Sequence, residues 1–155
     1  MKQSIICSFV TLIIGFCLSI KAESLVPQQK INQKFNLMSE NKIRIKIGEK
    51  TFISTLSDNP TAIAFKAILP LTINMNELNN NEKFADLSKN LPINASVPPS
   101  IQSGDLMMYG SRTLVLFYKG FSTTYNYTKI GKIDDVSGLA AALGSGDVQV
   151  SFELQ

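Results

Sequence analysis

Residues 104–118 read GDLMMYGSRTLVLFY, and this stretch decides the fold of the chain. Two runs of apolar and aromatic residues, 106–109 and 113–118, flank the turn residues Gly110-Ser111-Arg112, a pattern typical of a β-hairpin. Nearly every residue of the second run is apolar or aromatic, which predicts a strand that is buried on both faces. The chain is therefore expected to fold around a β-sheet with both faces covered at this hairpin.

The segments around the hairpin predict further strands. Apolar and polar residues alternate in three of them, as expected for strands with one face on the core and one in water. These segments are residues 42–47, 71–76 and 148–152. Gly48-Glu49 supplies a turn, so residues 50–56 run back and complete a hairpin with the first segment. Residues 125–133 provide one more strand or two short ones, which makes seven or eight strands in total.

Two short helices are predicted between the strands. Asp58-Asn59-Pro60 is typical of a helix start, because an Asx side chain accepts backbone N–H bonds and proline has a helical φ. This helix is expected to run to about Leu69. Asp134-Asp135 is expected to cap a second helix that runs through Leu143, with Gly144 just past its end. Together these elements imply a mostly β fold, a closed or nearly closed barrel plugged by two short helices.

Residues 88–103 contain three prolines and little periodicity, so they are expected to form a long surface loop. Loops of this length are uncommon in compact domains and are often functional.

The first 22 residues have the architecture of a signal peptide, with Lys2, an apolar run over residues 5–20 and a small residue, Ala22, at the cleavage site. An uncleaved membrane anchor is the alternative, since the run approaches the ~17 residues that can span a bilayer. Lipid attachment at Cys17 is disfavoured by the bulky Phe16 before it. We expect cleavage after Ala22, a flexible leader over residues 23–41 and one domain over residues 42–155. We also expect an exported protein, periplasmic or secreted.

The composition excludes several classes of function. The chain has no histidine, and its two cysteines, Cys7 and Cys17, lie in the predicted signal peptide. A serine–histidine or cysteine–histidine nucleophile pair is therefore excluded, as is a zinc site of the usual nitrogen and sulfur ligands. Loss of Lys2 and Lys21 with the signal peptide leaves 13 basic and 12 acidic residues and no basic run, so nucleic acid is not an expected partner. No cofactor is predicted.

Several local strings resemble the bacterial cyclophilin-like domain family. They are residues 58–62, 69–72, 104–110, 116–118, 127–133 and 138–143. The resemblance extends over about residues 42–152 and implies an eight-stranded closed cyclophilin-like β-barrel with helices over its ends.

True cyclophilins are peptidyl-prolyl isomerases, and their signature includes a Phe-His-Arg string whose arginine polarises the prolyl amide. Phe84 is the candidate counterpart of that phenylalanine, but Ala85-Asp86 stand in place of His-Arg. Residues 114–117 are similar to the family's Ser-Gln-Phe-Phe strand but lack its glutamine, whereas residues 104–108 fit its Gly-x-Leu-x-Met string. The resemblance therefore implies the barrel and leaves the isomerase without its arginine.

Candidate ligand-binding residues lie mainly in the central hairpin and the segment after it. They are Phe84, Met108, Tyr109, Arg112, Phe117 and Tyr125. Arg112 either forms a pocket beside Tyr109, where a guanidinium polarises a carbonyl or binds a carboxylate, or lies in solvent in the turn. Phe84 and Met108 also fit the core. Residues 118–127 are dense in aromatic and hydroxyl groups, which suits a peptide or glycan groove and equally an ordinary β-turn.

Three functions are consistent with these residues. The first is a binding module that holds a peptide or small polar ligand in a groove lined by residues 104–127 and the proline-rich loop. The second is a weak peptidyl-prolyl isomerase that uses Arg112 as a displaced electrostatic group. The third is a structural domain of the cell envelope. No metal site is predicted, since Asp134-Asp135 and Asp147 fit helix caps and turns better than calcium ligands.

Overall fold

The computed structural model of the protein describes residues 41–155, and the predicted signal peptide and nearly all of the predicted leader lie outside this range. The described residues form eight strands and two short helices. In chain order they are β1 (Lys42–Ile47), β2 (Lys50–Leu56), α1 (Pro60–Lys66), β3 (Leu71–Leu78), β4 (Glu82–Asp86), β5 (Asp105–Tyr109), β6 (Thr113–Phe117), β7 (Thr128–Ile133), α2 (Leu139–Leu143) and β8 (Val148–Leu154).

The eight strands form a closed barrel in the order β1-β2-β7-β5-β6-β4-β3-β8, and every neighbouring pair is antiparallel. β8 pairs with β1 over Ile43–Ile47, which closes the sheet on itself and leaves no edge strand. The prediction of a mostly β, eight-stranded barrel with two short helices is confirmed.

Two hydrophobic clusters lie on opposite faces of the wall that β4, β5 and β6 form. The main core fills the barrel and includes Leu114 and Leu116 of β6. The second cluster lies outside it and includes Val115 and Phe117 of the same strand. All four side chains are buried, so the prediction that this strand is covered on both faces is confirmed.

The first helix begins as predicted. Asn59 Oδ1 accepts a hydrogen bond from the Ala62 N–H at 2.8 Å, and Pro60 is the first helical residue. The helix ends at Lys66, before the predicted Leu69, and residues 67–68 continue only as a turn. Neither helix of residues 41–155 is long and apolar enough to cross a membrane.

The predicted cap of the second helix is wrong. α2 begins at Leu139 after Gly138, whose φ of 79° is left-handed, and no side chain caps it. Asp134 instead bonds to the β1–β2 hairpin, with Oδ2 2.6 Å from Lys42 Nζ. Asp135 Oδ1 accepts the Ser137 N–H at 2.9 Å in a turn before the helix. The second aspartate therefore caps a turn.

Among the strands, one was missed and one open alternative is decided. β4 was not predicted, since its sequence EKFAD carries three charged residues in five. Residues 125–133 supply a single strand that starts at Thr128, while Tyr127 makes only an isolated bridge with Ser96. The predicted loop over residues 88–103 is confirmed, with isolated bridges at Ser96 and Ile101 as its only strand-like contacts.

Candidate functional site

Strand alternation places one set of side chains on the outer face of the barrel. On β4, Glu82, Phe84 and Asp86 lie on this face, whereas Lys83 and Ala85 lie on the inner face. The adjoining strands β5 and β6 contribute Tyr109, Thr113 and Val115. These residues line one side of a groove of about 820 Å³. Its volume lies in the range of small-molecule and peptide pockets, about 300–1,000 Å³.

The segment between β6 and β7 supplies the opposite wall of the groove through residues 121–125 and Tyr127. Two pairs of backbone hydrogen bonds hold this wall to the 88–103 loop. Phe121 and Ile101 exchange bonds of 3.2 and 2.9 Å, and Tyr127 and Ser96 exchange two of 3.0 Å. The two ends of this wall are therefore anchored by backbone bonds within the protein, which reduces the conformational entropy that binding has to overcome.

Aromatic rings are arranged continuously along the groove. The Tyr109 ring centroid lies 6.2 Å from that of Tyr125, at an interplanar angle of 88°, and 5.7 Å from that of Tyr127, at 52°. Tyr127 in turn contacts Phe117 edge-on at 5.5 Å, and Phe117 contacts Phe121 at 5.7 Å. Tyr109 and Tyr125 are 48% and 63% exposed, so their faces are open to a ligand while Phe117 supports the others from below.

Glu82 gives the groove its charge. The residue is only 7% exposed, and its carboxylate has no hydrogen-bond or ion-pair partner among residues 41–155. Burial, and then the charge of nearby Glu77, raises the pKa of Glu82. Burial, and then the charge of Glu82, raises the pKa of Tyr127 to about 12, so this phenol stays protonated at neutral pH.

Asp86 and Asn81 are among the other polar residues that line the groove. Asp86 is exposed, and its Oδ1 accepts a hydrogen bond from Thr113 Oγ1 at 2.7 Å. Asn81, in the β3–β4 turn, has a buried Oδ1 with no partner among the described residues. Glu82 and Asp86 therefore give the groove two carboxylates as hydrogen-bond acceptors. Among the described residues that line it, there is no lysine or arginine.

On the inner face of β4, Lys83 is fully buried and well paired. Its ammonium forms an ion pair with Glu77 and donates to the carbonyl oxygens of Gly144 and Gly146 at 3.0 and 2.6 Å. The Tyr118 hydroxyl donates to the same Glu77 carboxylate at 2.9 Å. Burial opposes ionisation of Glu77, but the bonds from Lys83 and Tyr118 and the Lys83 charge outweigh it and lower the Glu77 pKa. This network belongs to the fold and does not line the groove.

The structure brings half of the predicted ligand-binding residues together. Phe84, Tyr109 and Tyr125 line the groove, and Phe117 lies beneath it in the second cluster, fully buried. Met108 and Arg112 do not line it. Met108 alternates into the barrel core, where it is fully buried. Arg112 is exposed in the β5–β6 turn, and its Nε donates to the Leu87 carbonyl at 3.2 Å.

Sequence reasoning missed Glu82 and Asp86 as groove residues, and it included Thr113, Val115 and Tyr127 only as part of the range 104–127. Their faces follow from the period-2 alternation of β4 and β6, but only once both strands and their pairing are known. The charged residues of β4 concealed that strand. The sequence did contain one signal for Glu82 and Asp86. These acids stand two residues before and two residues after Phe84, and this spacing places all three side chains on one face of a strand.

A second, smaller hollow of about 350 Å³ lies beside the 88–103 loop and is lined mostly by polar residues, among them Asn94, Gln102 and Lys129. Among residues 41–155, no group of three or more carboxylates, histidines or cysteines lies close enough together to hold a metal ion.

By its fold and its groove, the protein is a closed antiparallel barrel with a ligand-sized groove on its outer face. The model of the cyclophilin-like family matches residues 45–153, so the chain belongs to the cyclophilin-like family, as the sequence resemblance implied. Among solved structures, a hypothetical protein from Archaeoglobus fulgidus is similar, with a TM-score of 0.52 and 17% sequence identity over 76% of this chain and 96% of that one. At this identity the likeness shows the fold alone. No curated protein matches the chain.

Proposed function

We propose that this cyclophilin-like domain is a binding module that holds a peptide or small polar ligand in the outer groove. The observation that carries the proposal is a groove of about 820 Å³ with aromatic walls and a few buried acceptors. Ligand sites combine those two features, because apolar and aromatic surface supplies affinity while a few polar groups fix orientation. The exposed rings of Tyr109 and Tyr125 offer rigid contact area at low entropic cost.

The alternative, a weak prolyl isomerase, has less support. Isomerisation needs a cationic donor within hydrogen-bond reach of the prolyl amide. Arg112 is the residue proposed for that role, yet it lies outside the groove and bonds to the Leu87 carbonyl. We therefore expect negligible isomerase activity in a protease-coupled assay on a short Ala-Pro peptide. Isomerase activity near that of a true cyclophilin, if Arg112→Ala abolishes it, would contradict the binding-module hypothesis and support the isomerase hypothesis.

The binding proposal can be tested with blocked pentapeptides of the form Ala-Ala-X-Ala-Ala, where X is varied over the natural residues. Protein purified from cells that express the full chain is titrated with each peptide, and backbone amide NMR shifts are followed. We expect at least one peptide to shift the signals of residues 121–127 and of Phe84 and Thr113 in a saturable way. Shifts confined to the 350 Å³ hollow, or none with any peptide, would contradict the proposal.

A matched pair of variants locates the site. Thr124 lines the groove and is exposed, so Thr124→Trp should fill the groove and weaken binding about tenfold or more. Thr51 is exposed on β2, outside the groove, so Thr51→Trp should bind like the parent. Equal binding by both variants would place the ligand elsewhere.

We further propose that the domain acts outside the cytoplasm, after cleavage of the predicted signal peptide. N-terminal sequencing of the exported protein tests this, and a chain beginning near Glu23 is expected. Replacement of Ala22 by a bulky residue should block processing, because the cleavage site requires a small residue. Recovery of an intact Met1 would mean that the chain stays anchored.

A further inference from the structure

Glu82 lacks the partners that a buried charge normally has in a folded protein. It is only 7% exposed, lines the groove, and is unpaired among the described residues. Its carboxylate oxygens are not among the fully buried unpaired atoms of the described residues, so the covered side chain presents its carboxylate to the groove. The adjacent Lys83, also buried, has an ion pair and two carbonyl acceptors. The fold thus provides partners for the charge of Lys83 on the inner face of β4 and none for that of Glu82 on the outer face.

No basic side chain of the described residues lines the groove beside Glu82. Arg112 donates to the Leu87 carbonyl, and Lys119 lies over the Tyr118 ring at 5.9 Å from its centroid. Neither residue lines the groove, whose described lining carries Glu82 and Asp86 and no basic side chain. A cationic ligand in the groove is therefore the group that can complement the charge of Glu82.

The aromatic walls favour an organic cation over a simple ion. Tyr109, Tyr125 and Tyr127 present rings at steep angles to one another, 88° and 52°, around the groove. Rings arranged in this way attract alkylammonium and guanidinium groups through their π faces, and the attraction is greatest where water is excluded. The apolar side chains of Val115, Phe84 and Phe121, which also line the groove, suit a hydrocarbon stem.

Resting on the proposed binding function, we propose that the ligand of this groove carries an alkylammonium or guanidinium group on an apolar stem, and that Glu82 binds this cation while the three tyrosines surround it. A basic side chain of a peptide and a free alkylamine share this chemistry. Asp86, exposed and already bonded to Thr113, is a weaker second acceptor on the same face.

The test compares three blocked pentapeptides that differ only at the central residue, lysine, norleucine or glutamate, in the NMR titration above. Norleucine keeps the stem of lysine and lacks its ammonium. We expect the lysine peptide to bind at least tenfold more tightly than the norleucine peptide, and the glutamate peptide to bind weakest. The lysine preference should also decline with added salt, since salt screens charge attraction.

Two variants attribute the preference to Glu82. In Glu82→Gln, the preference for lysine over norleucine should fall below about twofold, while the norleucine peptide binds as in the parent, which also shows that the groove is intact. The control is Glu49→Gln, at an exposed carboxylate in the β1–β2 turn, and it should keep the full preference. A lysine preference that survives Glu82→Gln would overturn the role of Glu82.

The remaining outcomes separate this inference from the binding proposal. If lysine, norleucine and glutamate peptides bind in the groove equally well, the binding function stands and the cation preference is wrong. If no peptide of the full panel binds, peptide binding fails, and the binding function and the cation preference both fail unless n-pentylamine binds with the same Glu82 dependence. In that case the cation preference stands and its source is a free amine. Peptide binding without amine binding identifies the source as a basic peptide.

Discussion

Glu82 and Lys83 are neighbours on β4 and are both buried, but they lie on opposite faces of one barrel wall and are treated in opposite ways. The inner face gives Lys83 a carboxylate and two backbone carbonyls. The outer face gives Glu82 no partner among the described residues, and it also leaves Asn81 Oδ1 unpaired. The difference indicates that the polar groups on the inner face stabilise the fold, whereas the Glu82 carboxylate on the outer face remains available to a ligand.

The comparison predicts the largest loss of stability when the inner charge is removed. Lys83→Met leaves Glu77 without its cation and frees the carbonyls of Gly144 and Gly146, so the free energy of unfolding should fall by about 3 kcal/mol. Urea unfolding measures it. The double variant Lys83→Met/Glu77→Gln should lose less than the sum of the single losses, because the stranded carboxylate is gone. A single variant as stable as the parent would mean that the inner network is not structural.

A smaller loss is expected where β2 and β7 approach closely. A Cβ at Gly131 would lie 2.6 Å from the Thr55 carbonyl oxygen, so Gly131→Ala has to push the two strands apart. We expect a loss of about 2 kcal/mol, as for other overpacked sites. Gly146 has no neighbour within 4 Å of its added Cβ, and Gly146→Ala should stay within about 0.5 kcal/mol of the parent. The stabilities of the two variants are compared by thermal unfolding. Equal stability would argue against close packing of β2 and β7 at Gly131.

Paired tyrosine variants sharpen the contrast between the faces. Tyr118 donates its hydroxyl to Glu77 at 2.9 Å, so Tyr118→Phe should lower the free energy of unfolding by about 1.5 kcal/mol. Tyr125 is 63% exposed in the groove, and Tyr125→Phe should leave stability unchanged within about 0.5 kcal/mol. Guanidinium unfolding tests both. A larger loss of stability in Tyr125→Phe than in Tyr118→Phe would contradict the assignment of the inner face to stability and of the outer face to binding.

Sequence reasoning recovered the strands whose alternation is clean, and it missed the strand that builds the site. β1, β3 and β8 alternate in sequence as they alternate in burial. β4 does not, because Lys83 occupies an inward position that an apolar residue would normally fill. Its burial depends on Glu77 and on carbonyls 61 and 63 residues later, and no local pattern records such contacts. The groove aromatics Tyr109 and Tyr125 could be predicted from their density, whereas Glu82 could not without β4.

The smallest predicted effect concerns the pH dependence of stability, and it tests the outer face directly. Burial, and then the Glu77 charge, raises the pKa of Glu82 above its ordinary value of 4.5. The folded chain therefore binds this proton more tightly than the unfolded chain, and folding is favoured by acid at this residue. As pH rises from about 4.5 through the raised pKa, the free energy of unfolding should fall and then level off.

Glu82→Gln removes this titration, so the variant should lack the fall and gain on the parent as pH rises from 4.5 to 7, by on the order of 0.5 kcal/mol. Glu77 and Tyr127 interact electrostatically with Glu82, but neither pKa is moved into the range from 4.5 to 7. The bonds to Lys83 and Tyr118 outweigh burial and lower the pKa of Glu77, while burial and the Glu82 charge raise that of Tyr127 to about 12. Both therefore titrate outside the window, and Glu49→Gln serves as the exposed control. Urea unfolding at pH 4.5, 5.5 and 7 measures the difference. A gain that is constant with pH would show that Glu82 is not destabilised by its charge, and the outer face would then lose its distinction from the inner one.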